Sequence, residues 1–409
     1  MKRKDKARVM LRKGEYQRPN GTYRYRWVDK TGKEHNVYAK TLDKLRALED
    51  DITRDNLDGI RAEGRNMTVN DAYNQWCELK RGLKDHTFRN YDYMYRTYVQ
   101  HSDFGNMRIT DIHKSDVKRY YNWLIDERHL KESTVDNINT VLRQVFQMAV
   151  DDNLIRNNPV NDVFKEVKQA HSYRNEPRRA LTAEEQDLFL NYLKNSPKNR
   201  RWYPIFFVMC WSGMRVGEIT GLRWCDINIG IEKIDIGHTL VYYDRGEKMG
   251  YAINSTKTPA SERTIPMLPG VKDAFLEEKQ YQQDAGIECK AEVDGYTDFI
   301  FLNRFGLCLN NSTLNKVIRR IIRDCNDEIL TKDPDAKVLL PHFSCHSLRH
   351  SFTTRMIEAG VNVKVLQEWL GHAEVSTTLD IYADVTEKMH AQELTKVTNF
   401  LTNSDAVEK

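Results

Sequence analysis

The sequence predicts a multidomain fold in three parts. These are a small three-stranded β-sheet plus helix, an all-α middle part, and a mixed α/β, mainly helical C-terminal part. Three observations carry this. The turn signals "RPNG" (18–21) and "DKTG" (29–32) separate short runs of strand-like alternation. Residues 67–166 read as helical throughout, and beyond residue 180 helical stretches surround one strand region at 233–266. A length of 409 residues accommodates two or three separate cores.

In the first part, Thr22, Arg24 and Arg26 alternate with Tyr23, Tyr25 and Trp27, so each set belongs to one face of a strand. Residues 1–40 carry 13 Lys/Arg against 4 Asp/Glu, a net +9 in a chain whose total is +4. Basic residues interleaved with aromatics are an electrostatic footprint for nucleic acid, which makes Arg24 and Arg26 candidate DNA contacts. The competing reading is a solvated tail, and the alternation favours a folded sheet. Three short strands bury little alone, so a helix from Leu42 to about Ile60, ending near Gly64, is expected to cover them.

In the second part, Thr68 with Asp71 forms a capping-box pattern before "VNDAYNQWCELKR". Tyr91, Met94, Tyr95 and Tyr98 share a helix face, and Ser115 is expected to cap "DVKRYYNWLIDE". Ile138, Leu142, Val145 and Ala149 follow the spacing i, i+4, i+7, i+11 of a core-facing helix. Charges balance here, so a DNA face needs segregation; Lys114, Lys118 and Arg119 are its candidates, and core packing alone explains the pattern equally well.

A polar, basic stretch at 157–182 lacks helical periodicity until Thr182 and Glu185 cap the next helix, and reads as a linker. The expected boundaries are 1–64, 67–166, a linker at 167–179, and 180–409. A further short strand is expected at "DFIFLN" (298–303), and a helix at 386–403 with Leu394, Val397 and Leu401 on one face.

No apolar run approaches a membrane span, and the basic N-terminus has neither the apolar core nor the cleavage site of a signal peptide. Seven scattered cysteines without a C-x-x-C pair suggest reduced thiols and a cytoplasmic location.

The segment "CHSLRHSFTTRM" (345–356) puts His346, Arg349 and His350 within one helical turn. A zincin helix needs a glutamate directly after its first histidine, and Ser347 stands there. Arg349 between the histidines also disfavours a dication. An oxyanion suits the guanidinium fork of Arg349, with His346 one turn away. An arginine paired to a core carboxylate remains an equal alternative on "HSLRH" alone.

The longer context resembles the tyrosine recombinase/phage integrase family. "HSLRHSFTTRMIEAGVNVKVLQEWLGHAEVSTTLDIYADV" (346–385) matches the second signature box of that family, and "CWSGMRVGEITGLRWCDIN" (210–228) resembles the first. Ser212 and Ile219 are mild departures from its common Thr and Leu. The overall layout resembles integrases of bacterial conjugative transposons, with residues 67–166 similar to the core-binding domain and the basic N-terminus to an arm-site DNA-binding domain.

This resemblance implies a metal- and ATP-independent DNA strand transferase without cofactors. Tyr382, ten residues after His372, matches the nucleophile that attacks a phosphodiester, forming a 3′-phosphotyrosyl bond and releasing a 5′-hydroxyl. Arg215, Arg349 and His346 would hold the non-bridging oxygens, His372 would bond the phosphate or orient Tyr382, and Glu218 would support Arg215. Lys257, in "NSTKTPASERTIP" (254–266), matches the hairpin lysine that protonates the leaving oxygen, with Lys248 as runner-up. His350 matches no catalytic position. Further implications are double-stranded DNA with core and arm sites, a homotetramer whose tail helix docks on a neighbouring protomer, an excisionase, a DNA-bending protein, and a nucleoid-associated bacterial setting. A type IB-like topoisomerase would share the phosphate-binding set without this order of domains. A non-catalytic, integrase-derived DNA-binding protein is expected to have lost one of the six catalytic residues, and all six are present.

Overall fold

The computed structural model describes residues 4–29, 32–171, 179–246, 248–255 and 262–372. They gather into two compact units, divided between residues 175 and 176.

The first unit opens with an antiparallel sheet in the order β1 (Glu15–Gln17), β2 (Tyr23–Val28), β3 (Glu34–Ala39). Arg18 N–H donates to the Thr22 carbonyl at 2.7 Å to close the first turn, where Gly21 takes a left-handed φ of +85°. Register sets Tyr25 opposite Glu15 and Val37, and Arg24 opposite Tyr16 and Tyr38. The pleat therefore sends Tyr25, Trp27 and His35 to one face, with rings stacked at 5.7 and 5.3 Å, and Arg24, Arg26, Tyr16 and Tyr38 to the other.

Helix α1 (Leu42–Asp58) covers the first of these faces, burying Leu45 and Ile52. Glu15 is wholly buried beneath it and accepts from Arg46 Nε at 3.0 Å. Burial pushes that carboxyl up, but the bonds from Arg46 and from the Arg12 N–H outweigh it and hold the pKa below its ordinary value.

Gly59, at φ +79°, ends α1, and a 3₁₀ turn (Ala62–Asn66) leads into the helical part. This junction is tied down. Arg61 N–H donates to the Asn153 carbonyl at 2.8 Å, and Arg156 Nη2 lies 2.8 Å from both Asp55 and Asp58. Gly64 packs directly on the Leu154 carbonyl, leaving no room for a side chain.

The helical part comprises α2 (Val69–Leu79), α3 (Asp85–Met94) with a π-helical turn (Tyr95–Val99), α4 (Asp103–Asn106), α5 (Lys114–Asp126), α6 (Glu132–Asp151) and α7 (Val163–Ala170). Thr68 and Asp71 form the expected reciprocal cap. Ile138, Leu142, Val145 and Ala149 are all buried along α6, and Tyr73 stacks on Tyr95 at 3.5 Å. Two expectations are corrected. Helix α5 begins two residues earlier, at Lys114, with the His113 N–H capped by Asp116 at 2.9 Å, so Ser115 is not its cap. The stretch read as aperiodic contains α7, because Val163, Phe164 and Val167 make a short apolar face buried in the helical core.

The second unit contains α8 (Ala183–Asn195), α9 (Tyr203–Ser212), α10 (Val216–Thr220), β4 (Ile227–Asn228), β5 (Lys233–Ile236), β6 (His238–Asp244), β7 (Met249–Ser255) and β8 (Arg263–Pro266). Helices α11 (Val271–Asp284), α12 (Asn311–Lys332), α13 (Cys345–Glu358) and α14 (Val363–Leu370) follow. Thr182 and Glu185 cap α8 reciprocally. The strands form an antiparallel sheet ordered β4-β5-β8 and a separate β6-β7 hairpin. Phe189, Phe206, Phe275 and Leu348 centre the main core; Phe352, Met356, Leu366 and Leu370 form a second cluster joining α13 to α14.

The strand expected at 298–303 does not form. Phe299, Ile300, Phe301 and Leu302 are all buried, and the segment makes only isolated bridges, Arg223 with Phe299 and Leu302 with Cys308. Buried on every side, it threads the core instead of pairing along a sheet. The expected helix at 386–403 lies outside the described residues. Among the described residues no helix is long and apolar enough to cross a membrane, and no group of three or more His, Cys, Asp or Glu is placed to hold a metal ion.

Candidate active site

Two helix ends build the site. Helix α9 stops at Gly213, whose left-handed φ of +64° faces Phe352 so closely that a Cβ would overlap the ring. The turn that follows makes Arg215 the N-terminal residue flanking α10. There its N–H donates to Glu218 Oε2 at 2.8 Å and its Nη1 to Glu218 Oε1 at 2.9 Å. Helix α14 stops at Gly371, also left-handed at φ +63°. A helix end leaves its last carbonyls without intrahelical partners and carries a partial negative charge. Three arginines answer it. Arg263 Nε donates to the Trp369 carbonyl at 2.6 Å, Arg349 Nη2 to Leu370 at 2.7 Å, and Arg215 Nη2 to Gly371 at 3.1 Å.

Arg349, on α13 and 5% exposed, also donates from Nη1 to the Gly213 carbonyl at 2.7 Å, so it bridges both helix ends. Its Nη2 lies 2.8 Å from His372 Nε2. A guanidinium only donates, so Nε2 accepts and the neutral ring carries its proton on Nδ1. Desolvation first, then the charges of Arg349, Arg215 and Arg263, pull His372 down to about 4. Burial and the neighbouring Arg215 lower Arg349 to about 9, which leaves it charged at neutral pH.

Glu218 is the one carboxylate in this group, 3% exposed. Burial would raise it, but hydrogen bonding from Arg263, helped by the charges of Arg263, Arg215 and Arg349, holds it below its ordinary value. Three guanidinium charges face one carboxylate, an excess of two positive charges at the place where the described chain ends.

The structure thus gathers Arg215, Glu218, Arg349 and His372. His346 sits one turn before Arg349 on α13, exposed to solvent. His350, on the same helix, is half-buried, and Lys248 is exposed at the tip of the β6-β7 hairpin. Lys257 and Tyr382 lie outside the described residues. Arg263 was missed: it belongs to the quoted lysine segment, yet its carboxylate partner is 45 residues away in sequence.

Arg24 and Arg26 lie on the sheet face away from α1. Arg24 stacks over Tyr16 at 5.4 Å, Arg18 over Tyr38 at 5.1 Å, and Arg26 pairs with Glu34 at 2.7 Å. On α5, Lys118 pairs with Glu166 at 2.8 Å, the exposed Arg119 with Asp116 at 3.4 Å, and Lys114 lines a cavity with Asp55 and Arg156.

A guanidinium cluster at a helix end, with a neutral histidine at its rim, has the donors and charge that suit an oxyanion; the chain belongs to the phage integrase family and is a tyrosine recombinase. The model of the phage integrase family matches residues 179–389; those of the DNA binding domain of tn916 integrase and of the phage integrase SAM-like domain match residues 1–56 and 68–167. The transposase from transposon Tn916 of Enterococcus faecalis is 29% identical over 400 residues, covering 94% of each chain. A XerC-like tyrosine recombinase of Caldanaerobacter subterraneus is 24% identical over 397 residues, covering 93% of this chain and 96% of its own. The Tn1549 transposon integrase, solved in complex with a circular intermediate DNA, superposes with a TM-score of 0.70 at 25% identity, over 81% of this chain and 99% of that one.

The depressed pKa of His372 has a measurable sign. A histidine lowered from its ordinary 6.5 to about 4 supports stability above pH 6.5 and withdraws it as pH falls toward 4. Between pH 7 and 5 the melting temperature of the wild type should therefore drop further than that of His372→Gln. The difference should be roughly 2–4 °C after allowing for solvent screening. Parallel curves in differential scanning calorimetry would refute the neutral assignment.

Proposed function

We propose that this chain is a site-specific integrase that cuts and rejoins the ends of a mobile DNA element through Tyr382. The observation that carries the reading is the excess of two positive charges held by Arg215, Arg349 and Arg263 around Glu218 at the end of α14, beside His372. A phosphodiester monoanion, gaining charge on its non-bridging oxygens during transfer, is the group such a site stabilises most. Arg215 has its side chain 39% exposed and presents donors to those oxygens, with Arg349 behind it and His346 alongside. Tyr382 Oη gives up its phenolic proton to solvent and attacks phosphorus, and the 5′-oxygen leaves, taking a proton from Lys257 Nζ. Attack by another strand's 5′-hydroxyl reverses the step and expels the tyrosine, so the bond energy is conserved and no ATP is required.

The aromatic and basic sheet face is assigned to arm sites away from the crossover, and the helical part to the core site together with residues 180–409. We further assign to this chain a tetramer on paired sites, with the C-terminal tail engaging a neighbouring protomer and an excisionase and a DNA-bending protein as accessory partners.

On a nicked suicide duplex carrying the element's end, the wild type should accumulate a covalent adduct visible by denaturing electrophoresis. Tyr382→Phe should bind the same duplex and yield none, a loss of at least about 10³-fold; an adduct from the Phe variant would place the nucleophile elsewhere. Lys257→Ala should lose about 10²-fold on ordinary DNA and regain most of it when the leaving group is a 5′-thiolate, which departs without a proton. Equal impairment on both substrates removes Lys257 as the acid.

Arm binding should be strongly salt-dependent. Six phosphate contacts imply a fall of roughly 10³-fold in affinity between 50 and 200 mM salt, and Arg24→Ala should flatten the slope by about one contact. An unchanged slope by fluorescence anisotropy on arm DNA would exclude this face.

A further inference from the structure

The geometry points to Arg263 as a positioning residue for the phosphate-binding arginine Arg215, an inference that rests on the reading of the site given above. Arg263 is the first residue of β8, and its side chain is 6% exposed, shut away from an incoming phosphate. Among the described residues it makes three bonds. Nη2 and Nη1 donate to the two oxygens of Glu218 at 2.8 and 3.2 Å, and Nε donates to the Trp369 carbonyl at 2.6 Å. Its guanidinium also fills the space above Gly371, where a Cβ would come within 3.0 Å of Nη1.

These contacts divide the labour between two arginines on one carboxylate. Arg263 engages both Glu218 oxygens from the buried side, which leaves the Arg215 guanidinium sharing Oε1 through Nη1 while the Arg215 backbone N–H holds Oε2. Arg215 thereby keeps its fork turned outward, 39% exposed, with Nη2 on the Gly371 carbonyl at the mouth of the site. Take Arg263 away and three consequences follow together. Glu218 becomes a buried carboxylate with a single partner, so it draws Arg215 inward into a two-toothed pair. The Trp369 carbonyl loses its donor. Gly371, and with it His372, loses the surface it rests on. Arg263 touches no reacting atom; it sets where Arg215 and His372 stand.

A lysine is a poor substitute, because one ammonium cannot reach both Glu218 oxygens and the Trp369 carbonyl in the planar pattern that the guanidinium supplies.

The test uses the full chain on the nicked suicide duplex, following core-site affinity and the single-turnover rate of adduct formation separately. Arg263→Gln should bind core DNA within about 3-fold of the wild type yet form the adduct about 100-fold more slowly, the cost expected when a phosphate-holding group is displaced by about 1 Å. Arg263→Lys should fall between the two. The double variant Glu218→Gln/Arg263→Gln removes the unpaired buried charge and should recover at least about 10-fold over Arg263→Gln, a coupling that loss of packing alone would not produce. This double variant also decides the matter where the single one fails to fold. Wild-type rates in Arg263→Gln, or no recovery in the double variant, would overturn the role of Arg263. Absence of adduct from the wild type would instead sink the recombinase chemistry itself.

Discussion

The end of α14 is the constraint on which the rest of the site depends. Three successive carbonyls, of Trp369, Leu370 and Gly371, each take one guanidinium from a different part of the chain: Arg263 from β8, Arg349 from α13 and Arg215 from the start of α10. An eight-residue helix closes few hydrogen bonds of its own, and its unpartnered C-terminus is where it would fray first. Pairing that end with cations satisfies the carbonyls and uses the partial negative charge there. The same bonds hold three positive charges close together, which would otherwise repel.

Charge balance then explains the protonation states. Three guanidinia with no carboxylate would be costly so close to the core; with Glu218 the excess falls to two. Burial, reinforced by that residual field, keeps His372 neutral, and hydrogen bonding from Arg263 together with the field keeps Glu218 ionised against its own burial. Both states suit a pocket waiting for an anion. Preorganisation of this kind requires no rearrangement of donors at the moment charge builds on a phosphate.

Much of this was legible in the sequence, for reasons that differ by residue. The Thr68/Asp71 and Thr182/Glu185 caps and the spacing of α6 are local patterns, and local patterns need no knowledge of the fold. The two recombinase boxes marked Arg215, Arg349 and His372 because a motif stores the outcome of tertiary packing. What escaped is what no local rule encodes. Helix α7 shows only three buried apolar residues of its own. Residues 299–302 alternate like no strand because all four are buried, and the expected strand at 298–303 does not form. Arg263 was visible as a letter, but its partners among the described residues lie 45 residues before it and 106 residues after it.

Because the groups that receive the three guanidinia at α14 are backbone oxygens, point mutation cannot delete them. Every amino acid carries the same carbonyl, so Trp369 and Leu370 are at liberty to drift toward whatever packs best against Trp211 and Phe352. Vulnerability is concentrated instead at the three arginines and at Gly371, where any side chain would meet both a left-handed backbone and the Arg263 guanidinium. A lineage of such enzymes can therefore explore new surfaces around this helix while the placement of its three arginines stays untouched, a separation of what varies from what must not that is built into the choice of acceptor.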